Sequence, residues 1–158
     1  MNPKFEKLGK TSYPIRRLFS KLLIILSRNS FFTPNMRYSL LKYGGVKFDG
    51  KAYIGADVHF DGIRPDLVEI GNKSAITSGT RILTHFFNPT DRGMYLGKVT
   101  IGKRVFIGVN TLIVNSVEIG DDAVIAAGSV VTKDIPAGEI WGGNPARFLK
   151  KREIQYEL

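Results

Sequence analysis

Apolar residues in the second half of the chain recur every six positions. Ile101, Ile107, Ile113, Ile119, Ile125 and Val131 hold the lead sites. Four places after the first five sit Val105, Thr111, Val117, Ala123 and Ser129, and Gly follows the lead residue at 102, 108 and 120. A helix spaces apolar residues three and four apart, and a half-buried strand spaces them two apart. A beat of six fits neither. It fits a β-solenoid, in which each hexapeptide gives one short strand and one turn and successive coils stack. Gly behind the lead residue suits a turn that needs room or a positive φ.

Toward the N-terminus the beat continues but breaks twice. Phe48, Ile54 and Phe60 keep it, and the next lead residue, Ile70, comes ten positions later. Ile76 and Ile82 resume it, and Leu83 to Lys98 interrupts it again before Ile101. Insertions in a solenoid leave as loops, often on the binding face.

Before the repeats the periodicity is helical. Tyr13-Pro14 opens a helix with Ser12 or Tyr13 near its cap. Ile15, Leu18, Phe19, Leu22, Leu23 and Leu26 form its apolar face, and Ile24 and Ile25 widen it. That face has two destinations, the solenoid or a neighbouring subunit on one hand and a membrane interface on the other. Thr33-Pro34 starts a second helix, with Met36, Leu40 and Tyr43 on one face and Gly44-Gly45 at its end. The helices are expected to cover one end of the solenoid, which would otherwise expose strand edges. Residues 1–12 read as polar and loosely ordered. The chain thus divides into a helical segment over 1–45, repeats over 46–136 with an extruded loop at 83–100, and a closing turn and helix over 137–158. The terminal helix is expected from Arg147 to Tyr156.

Composition narrows the chemistry. At 158 residues one domain is expected. The chain has no Cys, which excludes disulfides, thiolate metal sites and a Cys nucleophile. No run of 18 apolar residues occurs, and the opening MNPKFEKLGK has no signal-peptide cleavage pattern. A cytoplasmic protein is expected, with peripheral contact at the inner membrane face as an option. Net charge is +9, and it is not evenly spread. Residues 1–51 hold 11 Lys or Arg against two acidic residues, and residues 52–158 hold 12 of each. A uniformly basic nucleic-acid binder would not look like this. A neutral body with a basic leader does.

The phrase IAAGSVVTKDIPAGEIWGGNPAR, Ile125 to Arg147, resembles the C-terminal signature of the hexapeptide-repeat acyltransferases. The similarity extends over roughly 46–152 and points to the maltose, galactoside and polysaccharide O-acetyltransferases. It implies an all-β solenoid, a left-handed parallel β-helix with an N-terminal helical segment and a short C-terminal helix. The hand comes from the resemblance and is an exception to the usual crossover rule. Also implied are acetyl-CoA as co-substrate, no metal, and a homotrimer with each site between two prisms. The related γ-class carbonic anhydrases hold their metal with three His, and this chain has two. The implied activity is acetyl transfer to a sugar hydroxyl in polysaccharide or glycoconjugate synthesis. Alternatives are N-acetylation of an amino sugar, a serine acetyltransferase-like enzyme, and a non-catalytic scaffold.

His59 and His85 both lie at the interruptions. The resemblance makes His85, in Ile82-Leu83-Thr84-His85, the general base that takes the proton of a poorly nucleophilic hydroxyl. Maltose-type enzymes carry Thr-x-Thr-His after the corresponding Gly. Here Gly79 is followed by Thr-Arg-Ile-Leu-Thr-His, as in polysaccharide-modifying members. A base His is usually oriented by a second group. One coil below His85, corrected for the first insertion, lies position 63, flanked by Asp61 and Asp66. Asp61 is preferred, because its phrase FDG-x-x-P resembles that subgroup. His59 reads as a turn residue or a neighbour of the acceptor pocket. By the same resemblance Ala127 and Gly128 line the pantetheine arm. Thr132, Lys133 and Arg147 meet the nucleotide end, with Lys150 in support.

Overall fold

A computed structural model describes residues 5–7, 15–114 and 116–153. The expected cap at Ser12 or Tyr13 lies outside the described residues. The body consists of three parallel sheets that the chain visits in rotation. The first face stacks β2 (Lys47–Asp49), β5 (Val68–Gly71), β10 (Val99–Ile101) and β13 (Glu118–Ile119). The second stacks β3 (Tyr53–Ile54), β6 (Ala75–Ile76), β11 (Phe106–Ile107), β14 (Val124–Ile125) and β16 (Glu139–Gly142). The third stacks β4 (His59–Phe60), β7 (Arg81–Ile82), β12 (Leu112–Ile113) and β15 (Val130–Val131).

The lead residues form three inward ladders. On the second face Ile54, Ile76, Ile107 and Ile125 are in register and buried. Phe60, Ile82, Ile113 and Val131 do the same on the third. The next residue side of each strand faces out, as the period of two requires. Larger rings close the ends of the stack, with Phe60 and Phe48 in the first coil and Trp141 on the last.

The glycines behind the lead residues serve room, not positive φ. A Cβ on Gly102 would come within 2.5 Å of Asp121, and one on Gly120 within 2.5 Å of the Ala137 nitrogen. The left-handed corner residue comes two positions later, at Arg104, Asn110 and Asp122, with φ of 55°, 57° and 61°. Asn and Asp tolerate that region better than most residues. Arg104 and Asp122 also pair with each other, stapling adjacent coils.

The two breaks in the beat are extrusions at one corner, where the third face hands over to the first. Phe48 pairs with Ile70, 22 residues on, and Ile70 pairs with Ile101, 31 residues on, while Ile101 and Ile119 are 18 apart. The first extrusion contains the 3₁₀ turn Pro65–Leu67. The second is an antiparallel hairpin of β8 (His85–Asn88) and β9 (Gly93–Gly97). The expectation of a loose stretch over 1–12 is corrected for β1 (Phe5–Lys7), which adds to the free edge of β9. Phe5 meets Phe86 edge-on at 4.8 Å, and Phe86 stacks on Tyr95 at 5.4 Å. Burying these rings is what a polar reading of the segment overlooked.

Two helices stand at the N-terminal end. α2 (Pro34–Tyr43) begins at Thr33, whose side chain accepts from the Met36 N–H, and Gly45 ends the turn with φ 106°. Its expected apolar face is corrected: Met36 and Tyr43 are exposed, and Arg37 and Leu41 are buried. Arg37 donates to the Ile54 carbonyl at 3.0 Å and to the Phe32 carbonyl. It thereby satisfies an edge strand that has no coil beneath it. α1 (Ile15–Ser27) packs on α2 through Ile24 and Ser27 and turns the predicted apolar face away from the solenoid.

The terminal helix expected from Arg147 is a strand instead. β17 (Arg147–Lys151) folds back antiparallel on β16. The last parallel strand needs partners for its open edge, and an antiparallel return supplies them within a few residues. Residues 154–158 lie outside the described residues.

Candidate active site

His85 opens β8 at the corner between the third and first faces. Its backbone is anchored on both sides: Leu83 N–H bonds the Ile113 carbonyl in the next coil, and Gly97 N–H bonds the Thr84 carbonyl across the hairpin base. One coil below, Asp61 is almost wholly buried and His85 is about a third exposed. Asp61 Oδ2 bonds His85 Nδ1. The same oxygen accepts from the Thr84 hydroxyl at 2.8 Å and the Thr84 N–H at 3.1 Å, and Oδ1 accepts from Ile63 N–H at 2.9 Å. Of Asp61 and Asp66, it is Asp61 that pairs with His85. Asp66 turns to Arg64 in a two-point ion pair at 2.8 Å.

Burial is the largest influence on Asp61 and works against its charge. The hydrogen bonds from His85, Ile63 and Thr84 outweigh it and hold the carboxyl below the usual carboxylate range. A carboxylate only accepts, so Nδ1 of His85 carries the hydrogen and Nε2 presents its lone pair. A folded pKa below the unfolded one makes this a stabilising charge above about pH 4, lost as pH falls through the folded value. Urea midpoints for wild type and Asp61→Asn should therefore differ most at neutral pH and converge toward about pH 2. A gap that stays constant over that range contradicts the pairing.

His59 sits one position out of this arrangement. It begins β4 on the outer side and bonds Asp57 at 2.7 Å, so it takes no part in the His85 cluster. Thr84 is the residue the sequence did not single out. Its only clue was its place beside His85.

The residues assigned to the donor divide into three places. Ala127 and Gly128 are exposed at the corner between the second and third faces. Gly128 has φ 69°, and no atom lies within 4 Å of where its Cβ would be, so the backbone there is open to a ligand. Residues after β16 lean on the same corner: Val130 N–H bonds Gly143, and Ala146 N–H bonds Val130. Arg147 follows Ala146 and is exposed, with Nη1 donating to the Ala146 carbonyl at 3.2 Å. Thr132 and Lys133 lie at the other end of β15, on the coil column of His85. Lys133 extends over the Trp141 ring, 5.1 Å from its centroid. Lys150 pairs opposite Ile140, far along β17 from Arg147. Ala127 and Gly128 share one corner, Arg147 follows the residue that bonds Val130 there, and Lys150 lies further along β17.

Among the described residues no three His, Cys, Asp or Glu side chains gather as a metal site. A groove of about 390 Å³ runs along the first face, lined by Lys47, Glu69, Thr100 and Lys103 among others, and touches none of these site residues.

Residues 98–133 match the hexapeptide repeat of succinyl-transferase. YvoF of Bacillus subtilis (strain 168), provisionally named an acetyltransferase, is 42% identical over 95 residues, covering 60% of this chain and 54% of that one. A Lysinibacillus sphaericus protein named a probable macrolide acetyltransferase is 35% identical over 125 residues, covering 65% and 69%. The chain thus spans about half the length of the first of these relatives. Among solved structures, a galactoside acetyltransferase in complex with coenzyme A superposes with a TM-score of 0.68 and 27% identity, over 87% of this chain and 81% of that one.

Proposed function

This chain belongs to the hexapeptide-repeat acyltransferases, and on that premise we propose that it transfers an acetyl group from acetyl-CoA to a sugar hydroxyl. The observation that carries the reading is the Asp61–His85 pair, with Nε2 free at the mouth of an extruded hairpin. His85 Nε2 takes the hydroxyl proton as the oxygen attacks the thioester carbonyl. The carbon–sulfur bond then breaks, and the departing thiolate takes that proton back as CoA leaves. Asp61 holds the ring in the required tautomer and stabilises the imidazolium that forms in between. Thr84 fixes Asp61.

The open backbone at Gly128, with the exposed Arg147 following the residue that bonds Val130, suits the donor: an arm with few side-chain obstacles, then phosphates facing a guanidinium. The likeness to a structure titled as a coenzyme A complex supports this placement and a left-handed coil. Donor corner and His85 corner lie at opposite ends of the third face. A homotrimer, in which a neighbouring prism brings its donor corner to this His85, accommodates both. The exposed outward rings of Tyr53 and Phe106 favour such packing.

The test is thiol release from acetyl-CoA across a panel of sugars, amino sugars and serine. Release with a hydroxyl sugar and product sensitive to mild base, as an ester is, supports the reading. An amide product, or no release with any acceptor, removes it. Arg147→Ala should raise KM for acetyl-CoA roughly tenfold, as expected for one lost charge-assisted contact, and leave the acceptor KM unchanged. The reverse pattern would move the donor elsewhere.

A further inference from the structure

α1 carries an apolar face that nothing among the described residues covers. Leu18, Phe19, Leu22 and Ile25 are 71, 58, 51 and 58% exposed, and Leu26 is 38% exposed. At about 100° per residue these five share one sector roughly 120° wide. The opposite side holds the helix in place: Ile24 is buried against Gly44, and Ser27 is buried with its hydroxyl on the Ile24 carbonyl. A contiguous set of five large apolar side chains is more than scattered surface hydrophobicity.

Along the sequence, the charge carried by this helical segment is of one sign. Between Glu6 and Asp49 there is no acidic residue, and residues 15–48 hold seven Lys or Arg. A second copy of the same face would set like charges against each other. An anionic bilayer meets both demands, taking the apolar side chains below the headgroups and the cations at their level. We propose that α1 docks this protein on an anionic membrane surface, lying in the interface with Leu18, Phe19, Leu22, Ile25 and Leu26 immersed. The helix has 13 residues, and no described helix is long and apolar enough to cross. Docking also sets the orientation. A side chain at Gly62 would touch the Lys21 stem at 3.7 Å, so α1 lies against the residue next to Asp61. The His85 corner therefore rides beside the bilayer surface. This inference does not depend on the acyl-transfer reading, and its test reads binding alone.

The experiment is flotation of the full chain with phosphatidylcholine vesicles, with and without phosphatidylglycerol. The chain should float with the anionic vesicles, and binding should weaken as salt is raised from about 0.1 to 0.5 M. Phe19→Asp/Ile25→Asp should lower the bound fraction about tenfold or more while circular dichroism and oligomeric mass stay as in wild type. Three results would overturn the proposal: no flotation with either vesicle, wild-type binding by the double variant, or a smaller oligomer in the double variant. The last would make the face a contact between copies.

Discussion

His85→Ala lowers turnover by roughly 10²–10⁴, the range for losing a positioned acid–base group, and leaves folding and acetyl-CoA binding intact. The imidazole is a third exposed and stands outside the inward ladders, so its removal opens no cavity in the core. The discriminating measurement is the pH profile. Wild-type kcat falls on acidification as the ring is protonated and can no longer accept the acceptor's proton. His85→Ala loses that limb along with the rate. Asp61→Asn keeps the ring but removes the acceptor that fixes its tautomer, so its loss should be smaller, about 10–10². If His85→Ala retains near-wild-type turnover on the true acceptor, the base lies elsewhere, and the Asp61–His85–Thr84 cluster has only a structural role.

Gly108→Ala is expected to be, with Gly71→Ala, among the most damaging single methyl groups that can be added to the described coils. Its Cβ would lie 2.4 Å from the Ala127 nitrogen and 2.8 Å from the Ala127 Cα. Both obstacles are backbone, so no rotamer change relieves them. The coils must separate at that corner, where Gly108 N–H bonds the Ile125 carbonyl and Gly128 N–H bonds the Val109 carbonyl. The cost should reach the upper end of overpacking, about 3 kcal/mol. For a domain of this size that lowers Tm by about 6–12 °C. Gly128→Ala is the control. It meets no atom but must take φ 69°, a strain of about 1–2 kcal/mol. Should Gly108→Ala melt within a degree or two of wild type, the coils are less tightly stacked than described.

The repeat was legible because a solenoid repeats its environment. Every lead Ile from 101 to 125 meets the same interior, so one spacing declares them all, and each is buried. Counting one coil and its insertion back from His85 reached position 63, between Asp61 and Asp66, and the resemblance of the phrase around Asp61 favoured it. What the count could not reach was the use of residues without a repeating neighbour. Arg37 drew no notice in the sequence, yet it closes a strand edge that exists only because no coil lies below it. The apolar stripe of α1 was visible, but which side would anchor was not. Ile24 and Ser27 do so because Gly44 leaves a notch there. β1 and β17 escaped notice for a shared reason. Each is defined by a partner strand, β9 or β16, and carries little alternation of its own.

The placement of both extrusions at one corner bears on how such a protein diversifies. The wall does not register their length: Ile70 meets Ile101 across 31 residues with the same pairing that Ile101 makes to Ile119 across 18. Lengthening such a loop is thermodynamically cheap, since doubling it costs only about 0.6 kcal/mol of closure entropy. Variation can therefore rewrite the hairpin beyond His85, over 86–97, without disturbing the rungs above or the corner at Gly128. On the proposed acyl-transfer reading, acceptor preference would be an exchangeable cassette, while the donor corner stays locked in the geometry of the stack.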